Sequence, residues 1–405
     1  MSESGTDHPN VTRRNGGMFR YKIDSLQEIG HYASCCSPIR YSGNIVHESD
    51  SPQVVHPITH VDAALTPVDP VRLTRALCEI ESTTYNEGAV GDFLADYLAA
   101  RGWAVEKTPV PQPAENANGG ERWNVFATVP GKTPDVVFST HMDTVPPHIP
   151  FTEDEEFMYG RGVSDAKGII ATQVAAAEAL RAEGIAVGML YVSGEERDSA
   201  GARVANQNPR GSRFLINGEP TDNRIGLASK GALRASLKST GKMAHSAYPE
   251  LGDSAIHKLV EALSRLIALE LPVDKDAGPC TLNVGQISGG HAPNVIADHA
   301  EAQVLVRVVG PSEPVRKAIR EAVAGLADVE FTLDLAFIRL KAVEGLPTMV
   351  AKFATDIPML TNWGEPLLLG PGSIHCAHTP DERLSKKEML EAVELYVKVA
   401  KQLVS

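Results

Sequence analysis

Four segments of this chain end an apolar run on residues that bind metals or move protons. His141 and Asp143 follow VVFST, Glu195 and Glu196 follow MLYVSG, Glu219 follows FLING, and His378 follows LLLGPGSIHCA. A fifth element, GRGVSDAKG, puts Asp165 in a glycine-rich loop just ahead of a long helical run. Taken singly, a loop glutamate is usually solvated and a histidine usually a hydrogen-bonded surface or core residue. Taken jointly they read differently. Where Asp143, Asp165, Glu195, Glu196 and Glu219 converge, each carboxylate pair about 5 Å apart repels by roughly 3 kcal/mol at an effective dielectric of 20. Such a cluster calls for cations. Two zinc ions balance Asp165, Glu196, Glu219 and one bridging hydroxide. His141 and His378 complete a nitrogen and oxygen donor set that suits zinc and tolerates cobalt or manganese.

The elements that must position these residues follow from periodicity. From Pro67 onward, helical segments (VRLTRALCEI, FLADYLAARG, IIATQVAAAEALRAEG) alternate with short apolar runs (VVFS, MLYVS, FLIN). This alternation predicts an α/β fold, a mostly parallel sheet with helices on both faces, and ligands bind at the C-terminal edge of such a sheet. Near Leu227 the order changes. Strands at GALRASLKSTG, TLNVGQIS, AEAQVLVRVV and VEFTLDL enclose helices at DSAIHKLVEALSRLIAL and PVRKAIREAVAGL. That β-α-β-β-α-β order predicts a ferredoxin-like α+β insert over residues 229–336. The first texture then returns with PLLLG and a last helix opening on the capping box of Ser385 and Glu388. The larger domain is therefore discontinuous, over 67–228 and 337–405.

Residues 1–66 lack sustained periodicity and read as a disordered tail or the product of a start codon called too early, with Met18 as one alternative. The tail's His8, His31, His47, His56 and His60 are irregularly spaced on a polar segment and read as solvated. A formal charge of −13 over 405 residues argues against a nucleic-acid partner. Five cysteines without C-x-x-C spacing suggest neither a disulfide framework nor a thiolate zinc site. With no apolar export segment and no membrane-spanning run, a cytoplasmic protein is expected.

In chain order, STHMDTVP, GRGVSDAKG, SGEERDSAG, NGEPT, KMAHSAYP and AHTPDE resemble the motifs of a di-zinc metallopeptidase and deacylase family. Its members include acetylornithine deacetylase, succinyl-diaminopimelate desuccinylase, aminoacylase and carboxypeptidase G. The resemblance covers residues 67–405, and GPGSIHCAHTPDE leans toward the acetylornithine deacetylase branch. It implies a zinc-peptidase catalytic domain with an inserted lid and dimerisation domain, and a homodimer formed through that lid. His141 and Glu219 would hold one metal, Glu196 and His378 the other, with Asp165 bridging and Glu195 as general base. Asp143 would hold the His141 imidazole in its ligating orientation.

By the same resemblance, His245 in the lid would donate to the oxyanion, often across a dimer, and Asn294 and Arg307 would contact substrate. Gly372 and Ser373 would add donors to a substrate carboxylate, and the peptide from Asp165 to Ala166 would be cis. The segment carrying Thr355 and Asp356 follows the family's TD turn only loosely, and Ala297 stands where many relatives carry proline. The activity implied is metal-dependent cleavage of the amide bond of an N-acyl amino acid, as in acetylornithine deacetylase or succinyl-diaminopimelate desuccinylase. A dipeptidase or carboxypeptidase needs the same metals and base. A binding protein that holds a carboxylate ligand without cleaving it is the alternative from another class.

Overall fold

Successive residues of the strands at Val136–His141 and Val187–Val192 enter two different cores, which is why both segments read as unbroken apolar runs. The structure is a computed structural model and describes residues 67–405; the tail assigned to residues 1–66, with its five histidines, lies outside the described residues.

The first sheet comprises β1 (Ala104–Pro109), β2 (Trp123–Thr128), β3 (Val136–His141), β4 (Val187–Val192), β5 (Phe214–Asn217) and, much later, β10 (Glu365–Leu368). Their spatial order is β1-β2-β4-β3-β5-β10. β4, β3, β5 and β10 run parallel, while β1 and β2 form an antiparallel edge. On one face, Val136, Phe138, Met189, Tyr191 and Ile216 pack beneath α1 (Pro70–Glu79), α2 (Gly88–Ala100), α3 (Lys167–Ala182) and α7 (Lys386–Val404). On the other, Val137, Leu190, Val192 and Leu215 meet Trp363 and the short α4 (Ala200–Asn206). Burying such side chains on both faces contributes about 1.5–3 kcal/mol each. The sheet's C-terminal edge is thereby a rigid platform.

The insert carries β6 (Gly231–Thr240), α5 (Ala255–Ile267), β7 (Thr281–Gly289), β8 (His299–Val308), α6 (Glu313–Val323) and β9 (Asp328–Leu335). The β-α-β-β-α-β order is as expected, and the sheet is antiparallel throughout with order β7-β8-β6-β9. Leu233, Leu237, Val304 and Val306 meet Leu259, Leu263, Val315 and Ile319 of the two helices, so the opposite sheet face is left to line other space. A small three-stranded sheet joins this unit to the first: Ile225–Ser229 pairs with Ile338–Arg339 and Thr348–Ala351.

The last helix corrects the sequence reading in one detail. Ser385 caps it by accepting from the Glu388 amide, but the Glu388 carboxylate does not return to close a capping box. It accepts instead from the Gly372 N–H at 2.8 Å. No helix of the described residues is long and apolar enough to cross a membrane.

Candidate metal centre

His141 is the last residue of β3, so its imidazole stands at the sheet's C-terminal edge and is almost wholly buried. Two residues on, Asp143 receives a turn. Gly194, whose φ of +89° suits glycine, bends the chain out of β4 and aims three amides at one carboxylate. Gly194 and Glu195 donate to Asp143 Oδ1 at 2.9 and 3.0 Å, and Glu196 donates to Oδ2 at 3.2 Å, where the Thr84 hydroxyl also donates at 2.8 Å. The His141 Nδ1 lies 2.9 Å from the Asp143 main-chain oxygen and 3.6 Å from its carboxylate. Asp143 therefore faces more than the His141 ring. Against its burial, the carboxyl is held down chiefly by the His141 imidazole and then by the Thr84 hydroxyl and the Glu196 amide, so one carboxylate faces both the ring and the turn that carries Glu195 and Glu196.

Asp165 sits between two imidazoles. His141 Nε2 lies 3.0 Å from Oδ1 and His378 Nε2 lies 3.3 Å from Oδ2, while His378 Nε2 is also 2.9 Å from Glu196 Oε1. Donor atoms of His141, Asp165 and Glu196 all fall within 4.8 Å of one another. The peptide between Asp165 and Ala166 is cis. The loop is held by Glu382, which sequence reasoning did not single out. Its Oε1 accepts from the amides of Gly162, Ser164 and Asp165 at 2.9, 3.2 and 3.2 Å, and its Oε2 pairs with buried Arg161 at 2.6 Å. Glu382 closes the AHTPDE motif and Arg161 lies in GRGVSDAKG, so their presence in matched motifs was the available signal.

The electrostatics follow from the crowding of buried acids. Burial, then the neighbouring Glu219, pushes the Glu195 carboxyl well up; burial, then nearby acids including Asp165, does the same to Glu219. Contacts with Asp165 and Glu196 lift His378 to about 10. His141 is also raised, with burial opposing and its contacts to Asp143 and Asp165 prevailing. Burial pushes Asp356 up to about 7, with the Ser199 hydroxyl pulling the other way. Asp356 thus joins the acidic group more closely than its loose motif suggested, whereas the Thr355 hydroxyl is spent on the Ile357 amide. Glu219 Oε1 is buried and without a partner. Two imidazoles, a central aspartate offering one oxygen to each side and an orphaned carboxylate oxygen make a donor set that fits a pair of divalent ions of zinc's preferences.

Asp165, Glu195, Glu196, Glu219 and His378 form one wall of a cavity of about 220 Å³; Arg307 and Arg234, on β8 and β6 of the insert, line it too. Arg307 is half-buried and feels the Glu195 charge. Sequence reasoning missed Arg234, which the alternation of β6 places on the same sheet face.

Four expected residues are elsewhere. His245, which ends a two-residue strand paired with Val295, and Asn294, on the adjoining turn, lie exposed on the insert; His245 Nδ1 accepts from the Ala247 amide at 3.1 Å and the Asn294 carbonyl accepts from Ser246 at 3.0 Å. Neither lines the acidic cavity of its own chain. Gly372 and Ser373 line a neighbouring cavity with His375, Cys376 and Arg383. The expected Gly372 donor is not free, because Glu388 has captured its N–H.

Comparison with known proteins agrees with this architecture. Residues 227–331 match the peptidase dimerisation domain. A peptidase M20 domain-containing protein of Schizosaccharomyces pombe is 35% identical over 363 residues, which are 86% of this chain and 88% of that protein. A "probable carboxypeptidase" of Paracoccidioides brasiliensis is 36% identical over 369 residues, 81% of this chain and 84% of the relative. Among solved structures, a tripeptidase from Staphylococcus aureus superposes with a TM-score of 0.70 at 20% identity, covering 84% of this chain and 99% of that one. An M20 family metallo-carboxypeptidase from Sulfolobus solfataricus gives 0.65 at 15% identity, covering 83% and 99%. At these identities the solved structures establish the fold.

Proposed function

Because the chain belongs to the M20 family of peptidases, we propose that it hydrolyses an amide bond adjacent to a free carboxylate, using two zinc ions and Glu195 as general base. His141, Asp165 and Glu219 would hold one ion and His378, Glu196 and Asp165 the other, with cobalt or manganese as substitutes. When bound, the ions polarise the scissile carbonyl and make water more acidic. Glu195 takes a proton from the attacking water and returns it to the departing nitrogen, so the water is divided between carbonyl carbon and amine. Its position supports this role, since Glu195 lines the cavity beside Asp165, Glu196, Glu219 and His378. Asp143, which does not touch the substrate, positions Glu195 and Glu196 through their amides.

The observation that carries the carboxylate half of the reading is Arg307, which lines the same cavity as the acids. A planar guanidinium is suited to a carboxylate, which it grips with two parallel hydrogen bonds. The volume of about 220 Å³ lies below the range of drug-sized pockets and favours a small substrate. An N-acyl amino acid meets this description, and GPGSIHCAHTPDE supports the acetylornithine deacetylase branch. A peptide with a free C-terminus meets it equally, and the carboxypeptidase name of the fungal relative supports that second reading.

The lid assignment of residues 229–336, between catalytic parts at 67–228 and 337–405, belongs to the same proposal. Among the described residues, eight of the nine exposed large hydrophobics lie on that insert: Met243, Tyr248, Leu251, Ile256, Val260, Ile267, Val273 and Ile287. An exposed apolar surface of this kind supports pairing with a second copy. Such a dimer would offer His245 and Asn294 to the partner's cavity, His245 as an oxyanion donor.

Arg307→Lys, assayed on N-acetylornithine, N-succinyl-diaminopimelate and a dipeptide panel, tests the reading. Substrates with a free carboxylate are expected to lose about 10- to 100-fold in kcat/KM, chiefly through KM, as the bidentate contact is lost. C-terminally amidated counterparts lose under about twofold, because the contact never formed. Equal losses on both sets would place the carboxylate elsewhere.

A further inference from the structure

The insert carries a second group of metal-ligating side chains, formed where HAPNVIAD runs into β8. His291 Nε2 and His299 Nδ1 both lie 2.9 Å from Asp298 Oδ1, and the two imidazole rings stand edge to face with centroids 4.9 Å apart. One donor atom from each of the three residues lies within 4.8 Å of the others. From these contacts we propose a divalent-metal site, separate from the acidic cavity, in which His291, Asp298 and His299 bind a zinc-, nickel- or copper-class ion through two nitrogens and one oxygen.

Its backbone is already fixed. His299 opens β8 and pairs with Thr240 of β6, the Asp298 carbonyl accepts from Gly241 at 2.7 Å, and the His299 carbonyl accepts from Gly290 at 3.1 Å. These bonds hold the turn bearing His291 against the strand bearing His299, so little ordering remains for the ion to impose. A single Asp298 oxygen, Oδ1, faces both imidazoles, so the three donors already converge on one point. The ligating nitrogens must give up their protons. Each neutral imidazole can move its proton to its other ring nitrogen, which frees the atom that faces Asp298.

The choice of ion follows from the donors. Imidazole suits zinc, copper and nickel, whereas magnesium and calcium prefer oxygen alone. Three protein ligands leave at least one position for water. All three side chains are more than a third exposed, so an ion enters directly from solvent, and none of them lines the acidic cavity. The proposal therefore stands independently of the hydrolase reading.

Zinc titrated calorimetrically into protein already saturated at its tighter sites is the test. One further binding event per chain is expected. His299→Ala and His291→Ala should each remove it or weaken it at least tenfold, with the tighter events and the circular dichroism spectrum unchanged. Asp298→Asn keeps a neutral oxygen but loses the anion, and should give an intermediate loss. It also serves where an alanine variant folds poorly. Absence of the extra event in the wild-type protein, or its persistence at unchanged affinity in both histidine variants, overturns the assignment and leaves the three residues as a hydrogen-bonded staple of the turn.

Discussion

Replacing Glu195 by glutamine is expected to lower kcat about a thousandfold, within the range of about 10² to 10⁴ that a positioned general base supplies. The substitution keeps the size and hydrogen-bonding shape of the side chain and removes only its ability to take a proton. Neither the amides that fix Glu195 and Glu196 on Asp143 nor the contact between Glu196 and His378 involves the Glu195 carboxylate, so the fold and the neighbouring ligand set remain intact. KM and bound zinc should therefore stay within about twofold while turnover falls by roughly 4 kcal/mol of barrier. Steady-state kinetics and metal content measured on the same preparation separate the two effects. A variant that loses zinc in proportion to its activity would make Glu195 a ligand rather than a base.

The second large effect concerns stability and metal affinity together. Glu382→Ala removes the partner of buried Arg161 and leaves three loop amides without their acceptor. Breaking a buried ion pair by deleting one member costs about 3–5 kcal/mol, since the remaining charge is uncompensated. The same loop presents Asp165 to His141 and His378, so zinc affinity should fall by about 10- to 100-fold as the aspartate loses its support. Chemical denaturation and competition with a chelator measure the two quantities. Glu382→Gln, which retains an acceptor oxygen, should lose less of both. If the alanine variant unfolds at the wild-type denaturant concentration, Glu382 does not anchor the loop as described.

What the sequence made legible follows a physical division. Strands buried on both faces announce themselves as apolar runs, and a polar or imidazole residue straight after such a run has only the sheet edge to occupy. His141, Glu195, Glu196 and Glu219 were found that way. Asp165 and His378 join them in the structure, one on a glycine-rich loop and one well past β10. The insert was legible because β8 alternates along its length, while β6 turns Leu233 and Leu237 inward and Arg234 outward.

The antiparallel edge was not read. β1 is mostly exposed, and AVEKTP gives little apolar signal beside its partner WNVFAT. Glu382 escaped for another reason: three of its partners are backbone amides, which every residue has and which no side-chain pattern reveals. Gly372 failed similarly. Its acceptor, Glu388, belongs to the first turn of α7 and reaches the Gly372 amide only once that helix has docked, a contact that no local spacing announces.

A cation-requiring acidic cluster is the centre of the site, and removal and return of zinc tests that most directly. Protein stripped with a chelator and freed of it should hydrolyse none of the N-acyl amino acid and dipeptide panel, and should regain activity as zinc is added, levelling at two equivalents bound to His141, Asp165, Glu196, Glu219 and His378. Turnover that survives stripping undiminished would contradict a metal-dependent site.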